Sequence, residues 1–159
     1  TLDFQILLRY PQDSAGESQH GATGINFWKI AMRPGKPLIS GYIDNIPLIG
    51  LPGNPVSTAV CAMVFLRPAL AHLAGGNDRA PCFSMALGSD LDENDQRQDY
   101  IRAVIIGKQG RQTVKPAPRQ DSSMMSVLTG ATALIVRPPF DPARNAGEMV
   151  TVMPIPPLT

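Results

Sequence analysis

No charge excess marks this chain. Its 14 Lys and Arg stand against 13 Asp and Glu, a formal net charge of +1, so no broad electrostatic pull toward nucleic acid or membrane is expected. Any anion it binds must be held locally. Cysteine is scarce as well: Cys61 and Cys82 make no disulfide framework, and with His20 and His72 far off in sequence no metal-ligand spacing forms. Cys61 falls inside an apolar helical pattern, where a small buried hydrophobe is the expectation. No charged-then-apolar leader opens the sequence, and no apolar run approaches the length of a bilayer span, so a cytoplasmic location is expected. Repeats and low-complexity tracts are missing. The first residue is Thr1 rather than Met, which reads as a fragment or a processed product.

Punctuation, by contrast, is plentiful. Sixteen prolines and fourteen glycines in 159 residues argue for many turns and short strands over long helices. Apolar residues (43%) and charged residues (17%) are in the proportions of a globular protein. Residues 1–24 carry a short apolar opening, TLDFQILLRY, and then a polar, turn-rich loop without chemistry. INFWKIAMR (25–33) has the content of one strand, with Trp28, Ile30 and Met32 on one face and Phe27, Lys29, Ala31 and Arg33 on the other. LISGYI (38–43) and IPLIG (46–50) read as a hairpin turning at Asp44-Asn45, with Pro47 near a sheet edge.

Asn54 is a preferred helix N-cap, and Pro55 stands at the first helical position. Val56, Val60, Met63, Val64, Leu70 and Leu73 then recur at helical spacing, Pro68 is expected to end or kink the helix, and Gly75-Gly76 to stop it. Residues 77–81 read as a linker. Beyond Cys82, five short strand candidates (FSMALGS, YIRAVIIGK, TVKPA, ALIVRP, EMVTVMPI) suggest a small β-barrel or sandwich. The run DLDENDQRQD (90–99) reads as a solvated loop.

Chemistry concentrates between Trp28 and Ser57. A capped helix start preceded by the small residues of GLPGNP leaves amide hydrogens and a partial positive charge facing an incoming anion. Lys29, Arg33 and Lys36 add side-chain charge. On a straight strand Lys29 and Arg33 lie about 13 Å apart, which suits an elongated ligand with several anionic groups better than one phosphate. Arg33 can grip an oxyanion in a bidentate way, and Lys36 acts as a point charge. The same residues also fit a plain structural account, with basic residues on a solvated strand end and PGNP as a turn into a helix. On the residues alone both accounts stand.

FWKIAMRPGKP followed by GLPGNPVS resembles the molybdopterin molybdenumtransferases, the family that includes the C-terminal domain of gephyrin. The later RQDYIRAVI and RQDSSMMSVLTGATALIV resemble that family's small C-terminal domain. The resemblance covers about residues 25–155. It implies an α/β fold: the C-terminal half of a three-layer molybdopterin-binding domain (1–76, with 1–24 divergent or irregular), the 77–81 linker, and a β-barrel domain over 82–159. It implies insertion of molybdate into adenylylated molybdopterin with release of AMP, a Mg²⁺ requirement with ligands unknown in this sequence, and a homodimer without nucleic-acid or membrane partners. By motif, Lys29, Arg33 and Lys36 take the catalytic positions. Gly35, Pro52, Gly53, Asn54, Pro55, Ser57, Arg102 and Ser122 take substrate-binding ones. The family often has Lys where Arg33 stands, and Asp121 replaces the glycine that precedes the position of Ser122. The glycine-rich Thr-Gly-Gly-x-Ser-x-Gly-x-x-Asp motif of the family is not present in residues 1–24, and Asp3 is too far from Lys29 to stand for its aspartate. A second expectation therefore stands beside the enzyme: a non-catalytic module that binds molybdopterin or other anions without turnover.

Overall fold

The computed structural model describes residues 24–27, 29–44, 46–76, 81–108, 110–118, 120 and 129–156. Four strands open it: β1 (Gly24–Phe27), β2 (Met32–Arg33), β3 (Ile39–Ile43) and β4 (Ile46–Gly50). A helix follows, composed of α1 (Pro55–Cys61), a π-helical turn (Ala62–Leu66) and α2 (Arg67–Leu73). Five more strands complete it: β5 (Phe83–Leu87), β6 (Gln98–Ile106), β7 (Thr113–Pro116), β8 (Ala133–Arg137) and β9 (Met149–Pro154).

The single strand expected over 25–33 does not form. Met32 N–H donates to the Ile30 carbonyl at 2.9 Å, and Ile30 N–H donates to the Lys36 carbonyl at 3.1 Å, so the chain bends back onto the PGKP loop. Ile30, Ala31 and Met32 are all buried. A straight strand would alternate them between two faces; the bend lets three consecutive side chains enter apolar surroundings. The hairpin does form, with Ile43 opposite Ile46 and Ile39 opposite Gly50. Asp44 takes the left-handed φ of 47° that its turn position asks for, while Asn45 lies outside the described residues. Pro47 sits in β4, the outer strand of the antiparallel sheet β1-β3-β4.

Pro68 neither ends nor breaks the helix. In the π-helical turn ahead of it Arg67 N–H reaches back five residues to the Ala62 carbonyl, which resets the ladder. Pro68 then falls in the first turn of α2, where its missing N–H is tolerated. The resulting 19-residue helix, Pro55–Leu73, has a mean hydropathy of 1.5 and is long and apolar enough to cross a membrane by length and composition. That corrects the expectation that no such run exists. Here Val56, Val60, Cys61 and Phe65 of this helix are buried in the protein core. The helix ends as expected: Gly75, at φ 77°, donates to the His72 carbonyl and Gly76 to that of Ala71, a Schellman closure.

The last five strands close on themselves. The order β6-β7-β5-β9-β8 is completed by a β6–β8 pairing, so the five strands make a barrel without a free edge among themselves. Period-two alternation divides each wall. Ala133 and Ile135 of β8 join Leu87, Ala103, Val114, Val150 and Val152 inside the barrel. Leu134 and Val136 face outward and pack with Ile30, Met32, Leu38, Val60, Cys61, Phe65, Tyr100 and Met153. This second cluster welds the helix and the PGKP region to the barrel, at roughly 1.5–3 kcal/mol for each large side chain fully buried. Both faces of β8 are covered, which is why ALIV reads as an unbroken apolar run. β2 adds to the junction by pairing in parallel with the start of β6, Met32 with Gln98 and Arg33 with Asp99.

Candidate functional site

Where the PGKP loop and the first turn of α1 meet the barrel, the surface opens into a groove of about 650 Å³. Gly35 sets the loop against the helix. Its φ is 118°, and a Cβ there would lie 2.5 Å from Cys61 Sγ and 2.6 Å from Met32 Cε, so only glycine allows this approach. Burial raises the Cys61 thiol pKa to about 12, consistent with an inert packing role. Lys36 follows on the exposed side of the loop and lines the groove. Ser57, buried in the first turn of α1, lines it from below.

The barrel supplies the opposing wall. In β6, Ile101, Ala103 and Ile105 pack toward the barrel cluster, while Tyr100 faces the junction and Arg102 shares its side of the strand. Arg102 is only 1% exposed and also lines the groove. Gln120 fixes its backbone like an extra strand residue: Arg102 N–H donates to Gln120 Oε1 at 3.0 Å, and Gln120 Nε2 donates to the Arg102 carbonyl at 3.0 Å. Burial pushes the Tyr100 phenol pKa up, although Gln98 Nε2 donates to its oxygen at 2.7 Å.

Five of the residues expected from sequence therefore come together: Arg33, Gly35, Lys36, Ser57 and Arg102. Lys29, Pro52, Gly53, Asn54 and Pro55 are not among the described residues lining the groove, and Ser122 lies outside the described residues. The GLPGNP turn has another task. Asn54 Oδ1 accepts from the N–H groups of Val56 (3.1 Å) and Ser57 (3.2 Å), Thr58 N–H donates to the Asn54 carbonyl at 2.8 Å, and Pro55 has no N–H. The N–H groups of residues 56–58 are thus taken up within the cap itself, and from this turn of the helix it is Ser57 that lines the groove.

Arg33 is also differently placed than its strand position implied. Its Nε donates to Asp99 Oδ1 at 2.8 Å and its Nη2 to Asp99 Oδ2, while Nη1 lies 3.5 Å from Asp95 Oδ2. Asp95 is held in turn by Arg97, whose hydrogen bonds, with lesser help from Arg33, pull its carboxyl pKa down to about 2. Two guanidiniums and two carboxylates thus form a cluster of balanced charge, of which Arg33, Arg97 and Asp99 line the groove. The 90–99 segment is accordingly not a merely solvated loop: Asn94, Gln98 and Asp99 are buried. Asn94 Nδ2 donates to the carbonyls of Arg97 (2.8 Å) and Pro138 (2.7 Å), stitching this segment to the 138–148 loop. Arg137, another buried lining residue, bonds Asp141 Oδ2 at 2.9 Å and the carbonyls of Asp92 and Pro142.

Sequence reasoning passed over Asp99, Asn94, Arg137 and Gln120. The one usable signal was Arg137 closing an otherwise apolar strand; the polar run 90–99 has no period from which burial can be read. As a chemical device, the groove offers a buried cation at Arg102, a point charge at Lys36 and a hydroxyl at Ser57, groups suited to anionic ligands, beside the carboxylates of Asp92, Glu93 and Asp99, which line the groove as well. Among the described residues no group of three or more His, Cys, Asp or Glu could hold a metal ion, and Asp95 and Asp99 are engaged by guanidiniums.

Comparison with known proteins matches both parts of the chain. Residues 13–72 match the family description "Probable molybdopterin binding domain", a match that begins within the stretch expected to be divergent, and residues 85–155 match "MoeA C-terminal region (domain IV)". A molybdopterin molybdenumtransferase of Haemophilus influenzae is 35% identical over 133 residues, covering 82% of this chain and 33% of that protein. The molybdenum cofactor synthesis protein cinnamon of Drosophila melanogaster is 33% identical over 131 residues, covering 79% of this chain and 22% of that protein. This chain thus spans a third or less of the length of these relatives. A solved molybdenum cofactor biosynthesis protein from Pyrococcus furiosus superposes with a TM-score of 0.68 at 24% identity, over 84% of this chain and 46% of that one, which establishes the shared fold. With both regions matched in order and the junction between them built from PGKP and YIRAV, the chain belongs to the molybdopterin molybdenumtransferase (MoeA) family.

Proposed function

We propose that the junction groove binds the phosphate-bearing part of adenylylated molybdopterin, and that the chain serves in molybdenum cofactor biosynthesis as part of a longer enzyme that inserts molybdate and releases AMP. The observation carrying this is the meeting of Lys36 and Ser57, from one half of the chain, with Arg102 from the other, in one groove. Neither half presents these groups alone. Charge held in fixed positions beside a partly buried ligand is how such a site orients anionic groups and stabilises developing charge. Molybdate as co-substrate, Mg²⁺ in the complete reaction, a homodimer, a cytoplasmic location and the absence of nucleic-acid or membrane partners belong to the same reading.

A second reading has its own support. The helix-start amides are taken by Asn54 and the Arg33 fork by Asp99, which leaves a binding surface more readily than a reaction centre. Molybdopterin binding and AMP release from the adenylylated form, measured side by side on this chain, separate the two. Binding with release supports the enzyme and binding without release the module. Undiminished binding in both Lys36→Ala and Arg102→Ala would overturn the groove as the site.

A further inference from the structure

We infer that Arg137 is a positioning residue of the junction groove: it ties residues 90–97 down as a strap, and so fixes the groove wall that carries Asp92, Glu93 and Arg97. Its bearing on a ligand rests on the groove being the proposed binding site. Leu91 is the one apolar side chain in the strap sequence DLDENDQR, so burial of apolar surface cannot by itself hold this wall in place. Backbone hydrogen bonds lead from the strap to the loop that follows β8. Leu91 and Arg144 exchange two, at 2.8 and 2.9 Å, while Asn94 N–H donates to the Asp141 carbonyl and Phe140 N–H to the Asp95 carbonyl, both at 2.8 Å.

Arg137, at the end of β8, joins strap and loop through one planar group. Its Nη1 donates to the Asp92 carbonyl on the strap. Its Nη2 donates to the carbonyls of Asp141 (3.2 Å) and Pro142 (2.7 Å) on the loop, and its Nε to Asp141 Oδ2 at 2.9 Å. The side chain is 4% exposed, and its charge is matched by Asp141. Asn94 makes the second clip, from Nδ2 to the carbonyls of Arg97 and Pro138. Glu93, exposed in the groove wall, is thereby held on both sides. The strap also brings Asp95 to 3.5 Å from Arg33 Nη1, so the same two clips help place the Arg33 cation in the groove. Arg137→Lys keeps a charge beside Asp141, but an ammonium lacks the flat fork that spans two loop carbonyls and the strap.

Amide hydrogen exchange on the ligand-free chain tests the strap, and titration with molybdopterin tests what the strap does for the groove. Arg137→Lys should speed exchange of the Leu91, Asn94 and Phe140 amides on the order of tenfold or more. The amides of Ile135 and Val152 in the barrel should keep their rates. Should the lone ammonium unfold the chain, Arg137→Gln/Asp141→Asn, which removes both charges together, serves the same comparison. Molybdopterin should bind on the order of tenfold more weakly to Arg137→Lys and to Asn94→Ala, and the losses should not multiply in the double variant, because each frees the same strap. Strap amides that keep their rates, or strap and barrel amides that speed up together, would overturn the proposal. So would losses that multiply, or unchanged molybdopterin binding with the strap amides freed. An unchanged chain that binds no molybdopterin removes only the substrate assignment, and the exchange rates still decide whether Arg137 holds the wall.

Discussion

The Asp141 carboxylate accepts from Arg137 Nε at 2.9 Å and from Arg144 Nη2 at 2.6 Å, and is 7% exposed. Burial alone would raise its pKa, but the two guanidiniums, Arg144 before Arg137, more than offset that and hold it below the ordinary carboxylate value. A carboxyl whose pKa is lowered by folding contributes stability above its unfolded pKa of about 3.9. That contribution is lost as pH falls through the lower folded value. Asp141→Asn should therefore cost on the order of 3 kcal/mol at pH 7, because Arg137 stays buried without its counterion. It should cost much less once the pH is low enough to protonate the native carboxyl. Urea unfolding of both proteins from pH 7 down to pH 2 checks this, and a pH-independent difference would refute it. At this scale little was legible. Arg102 could be singled out only through the resemblance, since a lone Arg in YIRAV looks equally like a surface cation. Asp99 and Asn94 sit in a polar run whose burial depends on strands distant in sequence.

Elements were more legible, because each is specified by neighbours in the chain. The N-cap, the Schellman closure, the β3–β4 hairpin and the five barrel strands all follow from local residue chemistry. The failures came where tertiary packing overrode a local rule. Consecutive buried side chains at 30–32 bend a stretch that alternates in sequence, and the helix runs on through a π-helical turn past Pro68, which rules out the expected end there but not a kink. Gly35 links these two failures, since its loop rests on the helix beside Cys61. Gly35→Ala should destabilise the fold by about 1–3 kcal/mol through overpacking, with further strain from the φ of 118°. Adding Cys61→Ala should recover part of the loss, because it removes one of the two clashing atoms. Chemical denaturation of the single and double variants would show this as a coupling; strict additivity would count against the contact.

Among the described residues, one set of strands closes on itself and another is left open. The barrel strands pair around a circle, but in the sheet β1-β3-β4 strand β4 is outermost among the described residues. Tyr42, Ile43, Ile46 and Leu48 of this hairpin are exposed, Ile46 by 68%. Apolar side chains on an open strand favour pairing with another chain. The proposed homodimer thus has a test at this scale: light scattering should show a mass that rises with concentration, and Ile46→Lys should lower it. A concentration-independent monomer mass would argue against association.

The sequence by itself determined the local chemistry: where helix and hairpin begin and end, which five segments become barrel strands, and that a molybdopterin-family pairing of PGKP with GLPGNPVS is present. Only the tertiary structure decided what those pieces face. The helix-start amides went to Asn54, the Arg33 fork went to Asp99, and the groove took shape from Lys36 and Ser57 meeting Arg102 across a shared apolar core. The reason is physical. Caps, turns and alternation are satisfied by residues a few positions apart, whereas which charge neutralises which is settled only when burial brings distant groups within hydrogen-bonding distance and forces each to find a partner.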